Sequence, residues 1–196
     1  MRISDDRYSR DRLRLDLALR FINLEARTHT IRAWTGLTDD RIRKLYRTYL
    51  LESGGRVVAR HRGKSPRQAA YFMRSTRMRR DSAVFASVSS LFGLIPRDTI
   101  MVDRAAQPAP NVWRGTLLCE AFETYQALVG ESQISFEHAV YLLDALLAGE
   151  ELRLAHCRDC SGMLVTDSLA LRSPVCNECV SVPAHVAAPP SDTRRT

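Results

Sequence analysis

The chain lacks long apolar runs: nowhere does it approach the roughly twenty consecutive apolar residues that span a bilayer. No membrane-spanning helix is expected. The first segment, MRISDDRYSRDRLRLDL, has no uninterrupted apolar stretch of signal-peptide length. The expectation is a cytoplasmic protein, in a compartment where thiols stay reduced and disulfides are rare. Internal repeats at solenoid periods are missing, which argues against a stacked array. There is no phosphate-binding loop, no Gly-x-Ser-x-Gly and no pair of carboxylates near a histidine at motif spacing. Without these signatures the chain is not expected to be an enzyme. What is present is an ordinary balance of 45% hydrophobic and 26% charged residues over 196 positions, enough for one domain plus a small module.

Acidic residues are scarce in one half. Residues 1–80 carry 21 Lys/Arg against 8 Asp/Glu, whereas residues 81–196 carry 8 against 14. The net charge of +7 thus hides a strongly basic first portion. Such a concentration suggests a polyanion partner, the plainer alternative being a solvated surface that only aids solubility.

Apolar residues recur mostly at helical spacing. Leu13, Leu17, Phe21 and Leu24 predict an amphipathic helix over about 7–27. Helices are expected at about 28–35 and 39–51. A basic loop, SGGRVVARHRGKSPR, follows at 53–67. One or two helices are expected over 68–93, carrying Tyr71, Phe72, Val84, Phe85, Val88, Leu91 and Phe92, and Pro96 suits the first turn of a short helix. After a linker at 105–111, Asn111 can cap a helix at about 112–129 bearing Trp113, Leu117, Phe122, Tyr125 and Leu128. Ser135 can cap another at about 136–148, ended by Gly149. From Leu152 the pattern changes to short extended pieces. The tail after about 182 lacks core-forming residues and is expected to be disordered. The predicted class is mainly α, a helical body with a small C-terminal four-cysteine, zinc-ribbon-like module. Its parts are an N-terminal helical region (1–52), the basic loop (53–67), the body (68–150), the cysteine module (151–182) and the tail (183–196).

Cysteine is also scarce, with five in the chain, yet four fall within CRDCSGMLVTDSLALRSPVCNEC, residues 157–179. Cys157 and Cys160 form one Cys-x-x-Cys pair, Cys176 and Cys179 the other. Each pair can turn two sulfurs toward one point, and two such turns supply the tetrahedral set of a structural zinc. RLAHC and MLV can pair as a hairpin around the first turn, with Gly162 placed to let the chain bend back. Four thiolates also suit iron, as in an electron-transfer centre, and two disulfides are a further alternative that the compartment disfavours. With four cysteine ligands no position stays open for water or substrate, so one Zn2+ per chain would be structural. His156 and His185 are expected to be bystanders. Cys119 sits in a helical pattern and is expected in the core.

TIRAWTGLTDDRIRKLYRTYL, residues 30–50, has the layout of a helix-turn-helix. Gly36 can take the left-handed turn conformation and Thr38 can cap the second helix. There Ile42, Leu45, Tyr46 and Tyr49 form an apolar stripe, leaving Arg41, Arg43, Lys44 and Arg47 outward to meet phosphates and guanine edges. Asp39 and Asp40 suit the helix dipole but would repel DNA. The alternative is a plain helical hairpin with a solvated basic face.

Taken together, these features resemble the FlhC family, a subunit of the transcriptional activator of bacterial flagellar genes. The resemblance lies in the amphipathic first helix, in RIRKLYRTYL, in YFMRSTRMRRDSAVFASV (71–88), and in LLAGEELRLAHCRDCSGMLV (146–165) leading into the first cysteine pair. The second pair also falls where the family has its own. Tyr71 stands where the family has tryptophan, and basic residues are few between the cysteine pairs, so the chain reads as a divergent member. The resemblance implies that the four cysteines bind zinc. It also implies a hetero-hexamer of four FlhD-like chains and two of this one, binding promoter DNA and recruiting RNA polymerase. A zinc-stabilised adaptor that binds protein only is the competing reading.

Overall fold

The computed structural model describes residues 3–52, 67–96 and 109–181. The basic loop expected at 53–67 (apart from Arg67), the short helix expected after Pro96, most of the 105–111 linker and the expected tail lie outside the described residues.

Helix α1 (Ile3–Asn23) buries Leu17, Ala18, Phe21 and Ile22 and leaves its arginines outward. It ends in two backward bonds. The Glu25 N–H donates to Ile22 O at 2.9 Å, and the Ala26 N–H donates to Phe21 O at 2.9 Å. That pattern needs a left-handed residue, and Glu25 supplies it at φ 61°. Helix α2 (Thr28–Thr35) stops at Gly36, φ 68°, whose N–H donates to Arg32 O at 2.9 Å. Leu37 then returns to the core, and Thr38 Oγ1 accepts the Arg41 N–H at 3.4 Å to start α3 (Asp39–Glu52). Ile42 and Tyr46 of α3 are buried, and the Tyr46 hydroxyl donates to Ala26 O at 2.8 Å. Tyr49, expected in this stripe, has no described side chain. Helix α1 packs on both α2 and α3, giving a tri-helical unit.

The stretch expected as one or two helices at 68–93 is a 3-10 turn (Ala69–Met73) followed by α4 (Thr76–Leu91). Ser75 separates them, its Oγ accepting the Met78 N–H at 3.1 Å. Helix α5 (Val112–Val129) is capped by Asn111 Oδ1, which accepts the Arg114 N–H at 3.0 Å. Helix α6 (Phe136–Ala148) is capped by Ser135 and closed by Gly149 in the left-handed region, φ 65°. Strands β1 (Leu152–His156) and β2 (Met163–Asp167) form an antiparallel hairpin, with Leu152 opposite Asp167 and His156 opposite Met163. A short helix α7 (Asn177–Ser181) follows. The fold is mainly α with a small four-cysteine module at its C-terminal end, as expected. Among the described residues no helix is long and apolar enough to cross a membrane.

One core runs through the body and into the hairpin. Phe21, Phe136, Phe122, Tyr125 and Phe85 form a chain of edge-to-face and tilted rings with centroids 4.9–6.4 Å apart, joining α1, α4, α5 and α6. Helix α5 approaches α1 and α2 closely through Gly115: a Cβ there would lie 2.6 Å from Leu17 Cδ2 and 3.3 Å from the Trp34 ring. Two acidic side chains are buried with partners. Asp81 accepts from the Tyr125 hydroxyl at 3.2 Å and from the Gln133 N–H at 3.1 Å. Glu137 accepts the Arg27 N–H at 2.8 Å. Leu152 and Val165 carry the core into the hairpin, as β1 packs on α6 and β2 on α4.

Some of the apolar residues that mark these helices lie outside the core. Trp113 (72% exposed), Leu128, Leu13 and Leu91 all face outward. On α5 the buried face runs through Gly115, Leu118, Cys119, Phe122 and Tyr125, and Trp113 and Leu128 fall off that stripe.

Candidate metal centre

Local backbone chemistry aims the first cysteine pair. Beyond β1 the Cys157 N–H donates to Gly162 O at 2.8 Å, and the Ser161 N–H donates to Cys157 O at 2.9 Å. These bonds fold 157–162 into a tight knuckle. The left-handed residue that permits it is Ser161, φ 59°, and not Gly162, where the sequence predicts the bend. Gly162 matters for space instead, since a Cβ there would meet Cys160 Sγ at 3.3 Å. The second pair lies at the start of α7, where the Val180 N–H donates to Cys176 O at 3.0 Å. The Arg158 N–H donates to Pro174 O at 3.0 Å and zips the two knuckles together.

The four sulfurs of Cys157, Cys160, Cys176 and Cys179 lie within 4.8 Å of one another. Cys160 Sγ and Cys176 Sγ are 3.7 Å apart. Four sulfurs about 2.3 Å from a central ion in tetrahedral geometry would be about 3.8 Å apart, so this edge fits a metal. It is far too long for a disulfide, and all five cysteines are free. Backbone N–H groups also point at the sulfurs: those of Cys176 and Cys179 donate to Cys157 Sγ and Cys176 Sγ, each at 3.3 Å. The donors from Cys176 and then Cys160 lower the Cys157 thiol from 9.0 to about 6. At Cys160 the Gly162 N–H favours the thiolate, but the sulfurs of Cys157 and Cys176 outweigh it and push the thiol up. Cys179 is pushed further up by Cys176 and Cys160. One thiolate forms readily, while hydrogen bonds among the neighbouring sulfurs oppose ionisation of Cys160 and Cys179. A cation at the centre removes that opposition, so the group is arranged to hold a metal ion.

Neither other candidate joins it. His156 is exposed, its Nδ1 3.1 Å from Ser161 O, and His185 lies outside the described residues. Cys119 is fully buried between α1 and α5, and burial pushes its thiol up to about 12, the behaviour of a core residue.

The four cations singled out on α3 are all exposed. Arg41 Nη2 donates to Asp11 Oδ2 of α1 at 3.1 Å, and Arg43 Nη1 donates to Asp40 Oδ1 at 2.8 Å. Lys44 and Arg47 make no ion pair among the described residues. Asp39, whose charge would repel DNA, faces Arg32 Nη1 at 3.6 Å. Arg74, Arg77, Arg79 and Arg80 belong to the basic half of the sequence, but no motif there marks them as a site. The one signal they carry is RSTRMRR, four arginines in seven positions with no acid among them.

No protein-family model and no curated protein matches the chain.

Proposed function

We propose that the protein is an FlhC-like, DNA-binding subunit of a transcriptional activator, with one structural zinc ion at Cys157, Cys160, Cys176 and Cys179. In this reading it acts in the cytoplasm with an FlhD-like partner, four partner chains to two of this one, and helps recruit RNA polymerase to flagellar or related promoters. The observation that carries the reading is the tri-helical unit in which α2 and α3 flank left-handed Gly36, with four exposed cations on the second helix. Helix-turn-helix proteins lay that second helix in the major groove while the first crosses the backbone. Lys44 and Arg47 meet phosphates directly. The exposed pairs of Arg41 with Asp11 and Arg43 with Asp40 contribute little to stability, so a phosphate competes readily for either arginine. Zinc, when bound, supplies a closed four-thiolate staple with no open position. The cysteines' part is to hold the two knuckles as one surface against the body.

Changing Arg43, Lys44 and Arg47 together to Ala tests the reading. Binding to promoter DNA weakens, and the slope of log affinity against log salt falls by about 0.9 for each phosphate no longer neutralised. Unchanged affinity and slope remove α3 from the DNA surface. A metal-loaded chain whose assembled complex binds no duplex is the protein-only adaptor instead.

A further inference from the structure

A second cationic surface lies away from α3, where α4 begins. Arg74, Arg77, Arg79 and Arg80 are all exposed there. Arg77 is engaged, with Nη2 3.4 Å from Glu131 Oε2. Arg74, Arg79 and Arg80 make no ion pair among the described residues. Cations at a helix start oppose the helix dipole, and Asp81, the first acid after them, is buried and turned to Tyr125 and Gln133. Arg74, Arg79 and Arg80 therefore have neither a local electrostatic reason to cluster nor an ion-pair partner among the described residues.

Two of the three side chains are held in place. The Arg74 guanidinium carbon sits 4.2 Å from the centroid of the Tyr71 ring, which itself stacks on His138 at 4.1 Å. Arg79 donates through Nε to Met73 O at 2.9 Å, leaving its two terminal nitrogens. Arg79 and Arg80 also line a cavity of about 330 Å³ between α4 and the cysteine module, with Pro174, Cys176 and Glu178 on the module side. Among the described residues Glu178 is the one acid lining it. Fixed arginines present paired donors that match phosphate oxygens, which flexible lysines do less well.

We infer that Arg74, Arg79 and Arg80 form a second phosphate-contacting surface for duplex DNA, at the junction of the helical body and the cysteine module. The inference rests on the DNA-binding reading above. It extends the DNA surface from α3 to the part of the molecule that the metal holds in place.

The test measures binding of the full, metal-loaded chain to a short duplex over a salt series. In R74A/R79A/R80A the affinity at low salt falls roughly 10-fold or more, and the salt slope drops by about 0.9 for each phosphate no longer neutralised. In R74K/R79K/R80K, which keeps the charge, most of the slope returns and part of the affinity is lost. A parent that binds duplex and an Ala variant with the same affinity and slope overturn this inference and leave the α3 reading standing. A parent that binds no duplex even at low salt, both alone and in its assembled complex, removes both. A parent that binds poly-glutamate but not duplex, with the Ala variant losing that binding, assigns the surface to an acidic protein instead. Unchanged helical content and melting in both variants tie the loss to the surface and not to the fold.

Discussion

Cys160 Sγ and Cys176 Sγ come from knuckles sixteen residues apart in the chain and meet at 3.7 Å, the separation of two ligands on one ion. Thiol counting checks the assignment. The metal-loaded protein is expected to show no fast-reacting thiol, the chelated protein four, and the denatured protein five, because Cys119 is buried with its thiol raised. Elemental analysis is expected to give one zinc per chain, and the protein to be colourless. Visible thiolate-to-iron absorption would instead mark an iron centre.

Cys157→Ser removes the most buried ligand of the four. Zinc binding in isolated zinc peptides contributes on the order of 10 kcal/mol to folding, so loss of one ligand is expected to release the metal. The knuckles loosen while α1–α6 persist, since the helical core is assembled from Phe21, Phe85, Phe122 and Phe136 without them. Hydrogen exchange is expected to accelerate at 157–181 and to stay slow in α5.

Gly36→Ala forces a Cβ into φ 68°, with nothing within 4 Å to clash. The cost is backbone strain alone, about 1–2 kcal/mol. Chemical denaturation is expected to show that loss, and Gly36→Asn a smaller one, because asparagine tolerates the left-handed region better.

Burial raises Tyr125 from 10.0 to about 12. A raised folded value favours the protonated phenol in the native state. Its contribution is full below pH 10 and is lost as pH rises through about 12. Ultraviolet titration is expected to show Tyr125 ionising late, together with unfolding. Tyr125→Phe moves that alkaline transition and leaves Asp81 with the Gln133 N–H as its remaining donor.

Tyr8, Leu13 and Trp113 are exposed on α1 and α5, apolar surface of the kind a partner covers. The lone chain is expected to bind promoter DNA weakly, and a co-purified complex with an FlhD-like partner more tightly. On the proposed reading, two tethered copies would raise the effective concentration of the second DNA-contacting surface. Titration of one promoter fragment at one salt concentration separates the two. Equal affinity, with a monomeric mass for the lone chain, makes the partner dispensable.

Much of the fold was legible because its punctuation is local. Gly36, Asn111, Ser135 and Gly149 each bound a helix by a capping or left-handed preference that belongs to the residue itself. The four ligands were legible for the same reason, since Cys-x-x-Cys is a turn motif. Other features depend on distant partners. Nothing local marks Ser161 over Gly162 as the left-handed residue; the knuckle's bonds to Cys157 decide it. Trp113 reads as one of the apolar residues of its helix, and only the direction of α5 against α1 and α4 turns it outward. Glu25 ends α1 in a conformation better suited to glycine because Phe21 and Ile22 need their carbonyls met.

At Gly115 the tri-helical unit and α5 meet with room for a hydrogen and little else, Leu17 filling the rest. The two positions therefore share one fixed volume. In diverging copies of this gene a larger residue at 115 should survive only beside a smaller one at 17, so the pair should change together or not at all.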